Sequence, residues 1–354
     1  MLRSLRHWAT ARATDAALAA APRLPPAALD GIGALLGTAG ALLPPLRHTV
    51  AENMRALGLH TPAVEREYFA QIGAHLAGAL HALRAGTGFD AGPALYAPEP
   101  SADDTNECSG GKASDELLRR AAERVELGAS VDCLLRAAAA GRGVILVGPH
   151  ICNYLLNLAR LNAATPLTVY LRHSRDVRRR AAKQAWYAAS GVGWIAAPPD
   201  AAGSLGRLGR MAAALAEGRT LFITPDLPQK PDAGMRVEFF GRGVYLPAGV
   251  GLLAERSGAP LFMLTAQRMA RGTGPGSALP RQRLIVHGPC PGPPAGRGRA
   301  ARQAGVAVRL QWFADLFAGF LRAHAPLWYL WGDKRWTRAL RGARRFAEGG
   351  HGAA

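Results

Sequence analysis

Residues 143–160, GVILVGPHICNYLLNLAR, decide the fold. Residues 144–147 are apolar and mostly β-branched, which is typical of a short strand buried on both faces. The Gly148-Pro149 pair ends this strand, and from Tyr154 onward apolar residues recur at helical spacing. His150 is therefore expected on a strand-to-helix turn, where α/β folds place reactive groups. A loop histidine with a satisfied hydrogen bond would give the same pattern, so this stretch leaves both interpretations open.

After this stretch, strand-like and helix-like segments alternate along the chain. The strand-like segments are 144–147, 167–171, 192–196, 220–224, 261–265 and 284–287. The helix-like segments between them are 153–162, 175–190, 204–217 and 249–257, and an amphipathic helix follows at 303–323. Such alternation predicts an α/β fold with a largely parallel central sheet and helices on both faces.

Residues 1–96 are predicted to form an N-terminal helical region. Its clearest helix, residues 64–84, has large apolar side chains at every third or fourth position. The basic, partly apolar residues 1–12 fit either an amphipathic anchor lying on a membrane surface or an ordinary first helix. The most apolar stretch, residues 27–46, is interrupted by Asp30, glycine and proline, so no membrane-spanning helix is predicted.

Three further segments follow the helical region. Residues 97–113 are polar and rich in Ser, Gly and Asp, which predicts a long loop or insertion. Residues 114–340 hold the alternating strands and helices and are predicted to form the α/β domain, with Ser114 as N-cap of its first helix. Residues 341–354 are basic and then Gly-rich, so we expect a flexible tail.

The composition narrows the possible partners without choosing one. The 354 residues are 49% apolar and carry a net charge of +18, so a sizeable core is expected beneath a surface that attracts anionic lipid, nucleic acid or acidic substrates. The four cysteines are far apart and contain no C-x-x-C pair, which suits a reducing compartment. No G-x-S-x-G, Walker A, H-E-x-x-H or helix-turn-helix motif is present.

Four segments nevertheless occur in a recognisable order. They are GRGVILVGPHICNY, with His150 and Asn153; VYLR, ending at Arg172; EGRTLFITPD, ending at Asp226; and VEFFGRGVYLPAGVGLLAERSGAP, with Phe240, Gly241 and Pro247. Together with HAPLWYLWGDKRW near the C-terminus, they resemble the bacterial lipid A biosynthesis acyltransferase family, within the lysophospholipid acyltransferase-like superfamily. The resemblance covers roughly residues 40–340, apart from residues 96–112.

The resemblance implies a glycerolipid acyltransferase-like fold and an activity. The expected reaction moves a fatty acyl chain from acyl carrier protein or CoA, as co-substrate, to a hydroxyl of a lipid or glycolipid, without a metal or other cofactor. The expected partners are membrane lipid and the acyl donor, and the expected location is the cytoplasmic face of the bacterial inner membrane, with peripheral or N-terminal attachment. Nucleic acid is not an expected partner, because no basic-aromatic motif or known binding module is present.

The resemblance also assigns roles to residues. In this family a histidine takes the proton from the acceptor hydroxyl, and a carboxylate five residues later orients the imidazole. His150 is the expected base. Asn153 and Arg172 are expected to face substrate, since a guanidinium suits a phosphate or a developing oxyanion. The segment with Phe240, Gly241 and Pro247 is expected to shape the acyl and thioester side of the cleft.

The chain departs from this pattern at the critical place, because Leu155 stands five residues after His150. Three compensations are conceivable: Asp226 replaces the missing acid, a reactive acceptor needs less base assistance, or Cys152 carries the acyl group covalently. Of these, Asp226 as a supporting catalytic carboxylate is the expected one. The alternative is a catalytically impaired homologue that binds lipid or a partner protein. Leu155 itself is expected to be a core-facing helix residue.

Overall fold

The computed structural model describes residues 19–86, 107–108, 113–172, 177–197, 204–269, 281–292 and 298–349. The helices are α1 (Pro26–Leu42), α2 (Pro44–Ala56), α3 (Pro62–Gly86), α4 (Asp115–Arg124), α5 (Val131–Ala139), α6 (Tyr154–Asn162), α7 (Val177–Ser190), α8 (Ser204–Ala216), α9 (Gly249–Ser257), α10 (Gly298–His324) and α11 (Lys334–Gly349). The strands are β1 (Glu107–Cys108), β2 (Val125–Leu127), β3 (Val144–Val147), β4 (Leu167–Arg172), β5 (Gly193–Ala197), β6 (Thr220–Ile223), β7 (Met235–Phe239), β8 (Arg242–Leu246), β9 (Leu261–Arg268) and β10 (Gln282–His287). Short 3₁₀ helices cover Ala21–Arg23, Ala325–Leu327 and Tyr329–Gly332.

Eight strands form one sheet in the order β1-β5-β4-β6-β3-β9-β10-β2. Neighbours pair in parallel except at β1–β5 and β9–β10. Strand β3 lies inside the sheet between β6 and β9, and all four of its side chains are buried, as its apolar sequence predicts. The prediction of an α/β fold with a largely parallel sheet, helices around it and an N-terminal helical region is therefore confirmed.

The hairpin β7–β8 forms a separate two-stranded sheet that the sequence analysis did not predict. In β7 the side chains of Arg236 and Glu238 are exposed, whereas Val237 and Phe239 are buried. This alternation is typical of a strand with one buried face. Because every second residue is charged, the strand contains no continuous apolar run that would predict it.

Two of the predicted segments differ in extent from the elements of the structure. Helix α11 continues to Gly349, into the segment expected to be a flexible tail from residue 341, and Ala343 of that segment is buried. Residues 350–354 lie outside the described residues. So do residues 1–18, with the possible anchor, and most of the predicted 97–113 insertion, of which Glu107–Cys108 forms β1 beside β5.

The N-terminal helices pack closely on one another through small residues. A Cβ atom added at Gly33 of α1 would lie 2.6 Å from the Cβ of Ala77 in α3, and one added at Gly37 would lie 2.9 Å from the Cα of Gly73. The backbones of α1 and α3 therefore approach more closely than larger side chains would allow.

By length and hydropathy, one helical stretch among the described residues is compatible with crossing a membrane, residues Gly298–Leu327. Half of its apolar window is buried within the protein, where Phe313 and Phe317 of α10 belong to the main core. Helices α1 and α2 pass the same criteria only as a pair, and they meet at an angle of 79°.

Candidate active site

The sheet register brings His150 and Asp226 to the same place. Strands β3 and β6 are parallel neighbours, with Val147 opposite Ile223. His150 follows Val147 by three residues and Asp226 follows Ile223 by three, so both emerge at the carboxyl edge of the sheet. This edge is where open α/β sheets usually hold their ligands.

The two side chains are directly hydrogen-bonded. His150 Nδ1 lies 2.7 Å from Asp226 Oδ1, and the backbone N–H of His150 donates to Asp226 Oδ2 over 2.7 Å. The Asp226 side chain is 0% exposed and that of His150 is 26% exposed. With Asp226 as a carboxylate, Nδ1 carries the imidazole proton, so the lone pair is on Nε2. This is the arrangement that a general base requires.

Two buried tryptophans hold Asp226 from the other side. Trp328 Nε1–H donates to Asp226 Oδ2 over 2.8 Å, and Trp336 Nε1–H donates to the Asp226 backbone oxygen over 2.9 Å. The carboxylate therefore accepts bonds from the two His150 groups and one indole, which fixes its orientation. Both tryptophans belong to the quoted HAPLWYLWGDKRW segment, whose part in this site the sequence analysis did not predict.

The backbone that carries His150 is also held in place. The N–H of Tyr329 donates to the His150 carbonyl over 2.8 Å, and the N–H of Cys152 donates to the Leu327 carbonyl over 2.7 Å. The amide groups of Asn157 and Gln282 both donate to the Cys152 carbonyl, over 3.2 and 3.1 Å. These bonds preorganise the turn that presents the imidazole.

Leu155 is a core residue. It lies in the first turn of α6, is 4% exposed and belongs to the main hydrophobic core. The Leu155 side chain therefore packs in the core. The acid that contacts His150 is Asp226, which follows the neighbouring strand β6.

Replacing Leu155 by Glu is expected to lower the free energy of unfolding by at least about 2 kcal/mol, because a carboxyl group would be buried among apolar side chains. Chemical denaturation measures this change, and Leu155→Met, which conserves volume, should cost less than about 1.5 kcal/mol. A stable Leu155→Glu protein with faster acyl transfer would show instead that the position faces the site.

Asn153 caps α6 in an unusual way. It has a left-handed backbone with φ of 63° and makes no side-chain capping bond. The residue is buried, and neither atom of its amide group has a hydrogen-bond partner within the described part of the chain. An unsatisfied buried amide costs about 1–3 kcal/mol, so such a group suits a ligand contact.

Arg172 is the last residue of β4, with Ala197 as its Cα partner in β5. Strand β4 pairs in parallel with β6, with Val169 opposite Phe222. The backbone of Arg172 therefore reaches the same sheet edge as Asp226, as the sequence pattern suggests.

Phe240 and Gly241 form the two-residue turn of the β7–β8 hairpin, with φ of 52° and 70°. Positive φ at both positions is typical of the tight turns that join antiparallel strands. The guanidinium of Arg322 lies 4.6 Å from the centre of the Phe240 ring, and Pro247 directly follows β8. None of the hydrogen bonds or ring contacts of the described residues joins these turn residues to His150 or Asp226.

The residue before the turn nevertheless reaches the site through one tryptophan. The Phe239 ring centre lies 5.5 Å from that of Trp336, whose indole is bonded to Asp226. A cavity of about 510 Å³ lies beside the turn and is lined by Phe240, Gly241, Arg322 and neighbouring polar groups.

Cys152 is a poor nucleophile in this setting. Its side chain is fully buried, and this burial raises the pKa of the thiol well above its usual value. Because the thiolate is the reactive form, these observations argue against Cys152 as an acyl carrier. Within the described ranges, no three His, Cys, Asp or Glu side chains group as metal ligands would.

Comparison with known proteins assigns the chain to a family. No curated protein matches this chain significantly. The family model of the bacterial lipid A biosynthesis acyltransferases matches residues 113–337, which run from the start of α4 into α11 and include both His150 and Asp226. This match covers more than half of the sequence, so the chain belongs to the bacterial lipid A biosynthesis acyltransferase family.

Proposed function

We propose that the protein transfers a fatty acyl chain from the thioester of acyl carrier protein or CoA to a hydroxyl of a lipid or glycolipid, with His150 as general base. The observation that carries this proposal is the 2.7 Å contact between His150 Nδ1 and the buried Asp226 carboxylate. The contact supplies the acid that the chain lacks at position 155, and it leaves Nε2 as the basic nitrogen.

The reaction follows from this arrangement. Nε2 of His150 takes the proton of the acceptor hydroxyl as the oxygen attacks the thioester carbonyl. Asp226 stabilises the imidazolium that forms. The tetrahedral intermediate then collapses, the carbon–sulfur bond breaks, and the proton on Nε2 passes to the sulfur to release a thiol. Every atom comes from the two substrates and the imidazole, so the proposal needs no metal or further cofactor.

The remaining site residues are proposed to bind the substrates. Asn153 offers an amide that has no hydrogen-bond partner among the described residues. Arg172, whose backbone ends β4 at the same sheet edge, is proposed to bind a phosphate or an oxyanion. Phe240, Gly241 and Pro247 shape the acyl and thioester side, and the adjoining cavity is large enough for part of an acyl donor.

The N-terminal helices are proposed to rest on the cytoplasmic face of the bacterial inner membrane. Four of the seven exposed large hydrophobic side chains in the described part of the chain lie within nine residues, namely Leu35, Leu36, Leu42 and Leu43, with 45–76% exposure. The exposed basic side chains of Arg47 and Arg55 follow in α2. Apolar side chains beside basic ones favour a peripheral contact with anionic lipid.

Replacing Leu35, Leu42 and Leu43 together by serine should weaken binding to vesicles of phosphatidylethanolamine and phosphatidylglycerol by at least about tenfold, since each fully buried leucine contributes about 1.5–3 kcal/mol. Sedimentation with vesicles measures this effect. The matched control is the pair Leu252→Ser and Val308→Ser, two exposed side chains elsewhere on the surface. Equal weakening by the control would contradict the assigned contact face.

The catalytic proposal is tested with purified protein, a long-chain acyl thioester and a lipid A precursor with free hydroxyl groups. The wild type should form a product heavier by one acyl group, and His150→Gln should slow this reaction by at least about 10³-fold with unchanged thermal stability. If the wild type binds lipid but forms no acylated product with either thioester, the catalytically impaired alternative replaces the proposal.

A further inference from the structure

A second histidine lies beside the catalytic turn and comes from the N-terminal helices. The ring centre of His75 in α3 lies 4.7 Å from that of Tyr329, and the N–H of Tyr329 donates to the His150 carbonyl over 2.8 Å. The hydroxyl of Tyr68, also in α3, donates to the Tyr329 carbonyl over 3.1 Å. Helix α3 is thus attached to the same residue that supports His150.

Helix α3 also packs against the helix that follows His150. A Cβ atom added at Gly78 would lie 3.3 Å from Cγ of Leu156 in α6. His75 is one turn earlier in α3, so it borders the catalytic turn from the side of the N-terminal helices. The residues matched by the family model begin at residue 113, so the match assigns no role to His75.

The imidazole of His75 is suited to donate one hydrogen bond without carrying a charge. Its Nδ1 is buried and has no partner among the described residues, whereas the residue as a whole is partly exposed. Burial lowers the pKa of His75 to about 4, and the charge of His150 acts in the same direction. At neutral pH the ring is therefore uncharged, and placing its single proton on Nε2 avoids a buried, unpaired N–H group.

We propose that His75 binds the acyl acceptor. Its Nε2–H donates a hydrogen bond to an oxygen of the acceptor lipid, while the lipid hydroxyl that is acylated lies against His150. This inference rests on the proposed acyl transfer. The acceptor is favoured over the thioester because His75 belongs to the N-terminal helices, whose exposed leucines are proposed to contact the membrane that holds the lipid. Because the donor is neutral, it also places no second positive charge near the one that forms on His150 during the reaction.

Two substitutions separate hydrogen bonding from packing. His75→Phe keeps an aromatic ring against Tyr329 but removes the donor, whereas His75→Gln keeps an amide donor of similar reach but removes the ring. Initial rates are measured with palmitoyl-CoA and palmitoyl-acyl carrier protein as donors and a lipid A precursor in detergent micelles as acceptor.

We expect His75→Phe to raise the acceptor KM by about 3- to 10-fold, with the thioester KM unchanged and kcat changed by less than about twofold. His75→Gln should stay within about twofold of the wild-type acceptor KM. Unchanged kinetics in His75→Phe would overturn the inference, and so would a loss in His75→Gln that exceeds the loss in His75→Phe, because packing would then explain both. If the wild type transfers no acyl group, both the proposed function and this inference fail. If the wild type is active and His75→Phe has unchanged kinetics, only the inference fails.

Discussion

Replacing Asp226 by Asn should slow acyl transfer by about 10⁴-fold. An asparagine has one acceptor oxygen where Asp226 has two. If that oxygen keeps the bonds to the His150 backbone N–H and the Trp328 indole, the new NH₂ group faces His150 Nδ1. Nδ1 must then accept a hydrogen bond, the proton moves to Nε2, and the base is lost. The substituted side chain keeps its size, so the fold should persist.

Initial rates of acyl transfer and the melting temperature are measured together for this variant. Asp333→Asn is the matched control, because Asp333 lies in the same segment as Trp328 and Trp336 but its carboxylate pairs with Arg335. The control should retain transfer within about threefold, because it leaves the bond between His150 and Asp226 intact. A loss below about tenfold in a folded Asp226→Asn protein would contradict the dyad.

Replacing Asp30 by Asn should lower the free energy of unfolding by about 3–5 kcal/mol. One oxygen of Asp30 in α1 bonds both His81 of α3 and the buried Arg124 of α4, each over 2.7 Å. Removal of the carboxylate leaves the guanidinium of Arg124 without its anion, in a setting that is 5% exposed. The N-terminal helices would then lose one of their charged links to the α/β domain, the most buried of those among the described residues, while exposed or half-buried pairs such as Arg84–Glu116 remain. Chemical denaturation measures the loss.

The control for this prediction is Glu123→Gln, whose carboxylate pairs with Arg119 and Arg120 on the exposed side of α4 and should cost less than about 1 kcal/mol. Burial raises the pKa of Asp30, but the bond to His81 and the charge of Arg124 outweigh it, so the pKa lies below its usual value. The stabilisation is therefore fully present above about pH 4 and is lost as the pH falls through the lower folded value. Equal losses in the two variants at neutral pH would contradict the assigned role of Asp30.

The alternation of strands and helices after residue 143 is enough to predict the α/β class, because buried parallel strands need uninterrupted apolar runs. The contact between His150 and Asp226 is harder to predict from the sequence. These residues are 76 positions apart, and only the neighbouring placement of β3 and β6 brings them together. Strand order is a property of the assembled sheet, so the sequence predicts Asp226 as the supporting carboxylate but not its direct bond to His150.

Other parts of the site depend on contacts that leave no periodic signal. In the sequence, Trp328 and Trp336 are recognisable only as members of an aromatic segment. Their hydrogen bonds to Asp226 depend on how that segment packs against the sheet edge. His75 lies on a helix with ordinary apolar spacing, so its position beside Tyr329 depends on how α3 packs. Residues 341–349 look like a tail because basic residues dominate, yet Ala343 continues the buried side of α11.

The central claim is that the histidine–aspartate dyad performs acyl transfer, and lipid mass spectrometry tests it most directly. Cells that lack the protein are compared with matched cells restored with the wild type or with His150→Ala. The account predicts that one lipid gains the mass of an acyl chain with the wild type only, and this species identifies both acceptor and chain. Identical lipid profiles for wild type and His150→Ala would contradict the account, because the imidazole would then have no part in what the protein does.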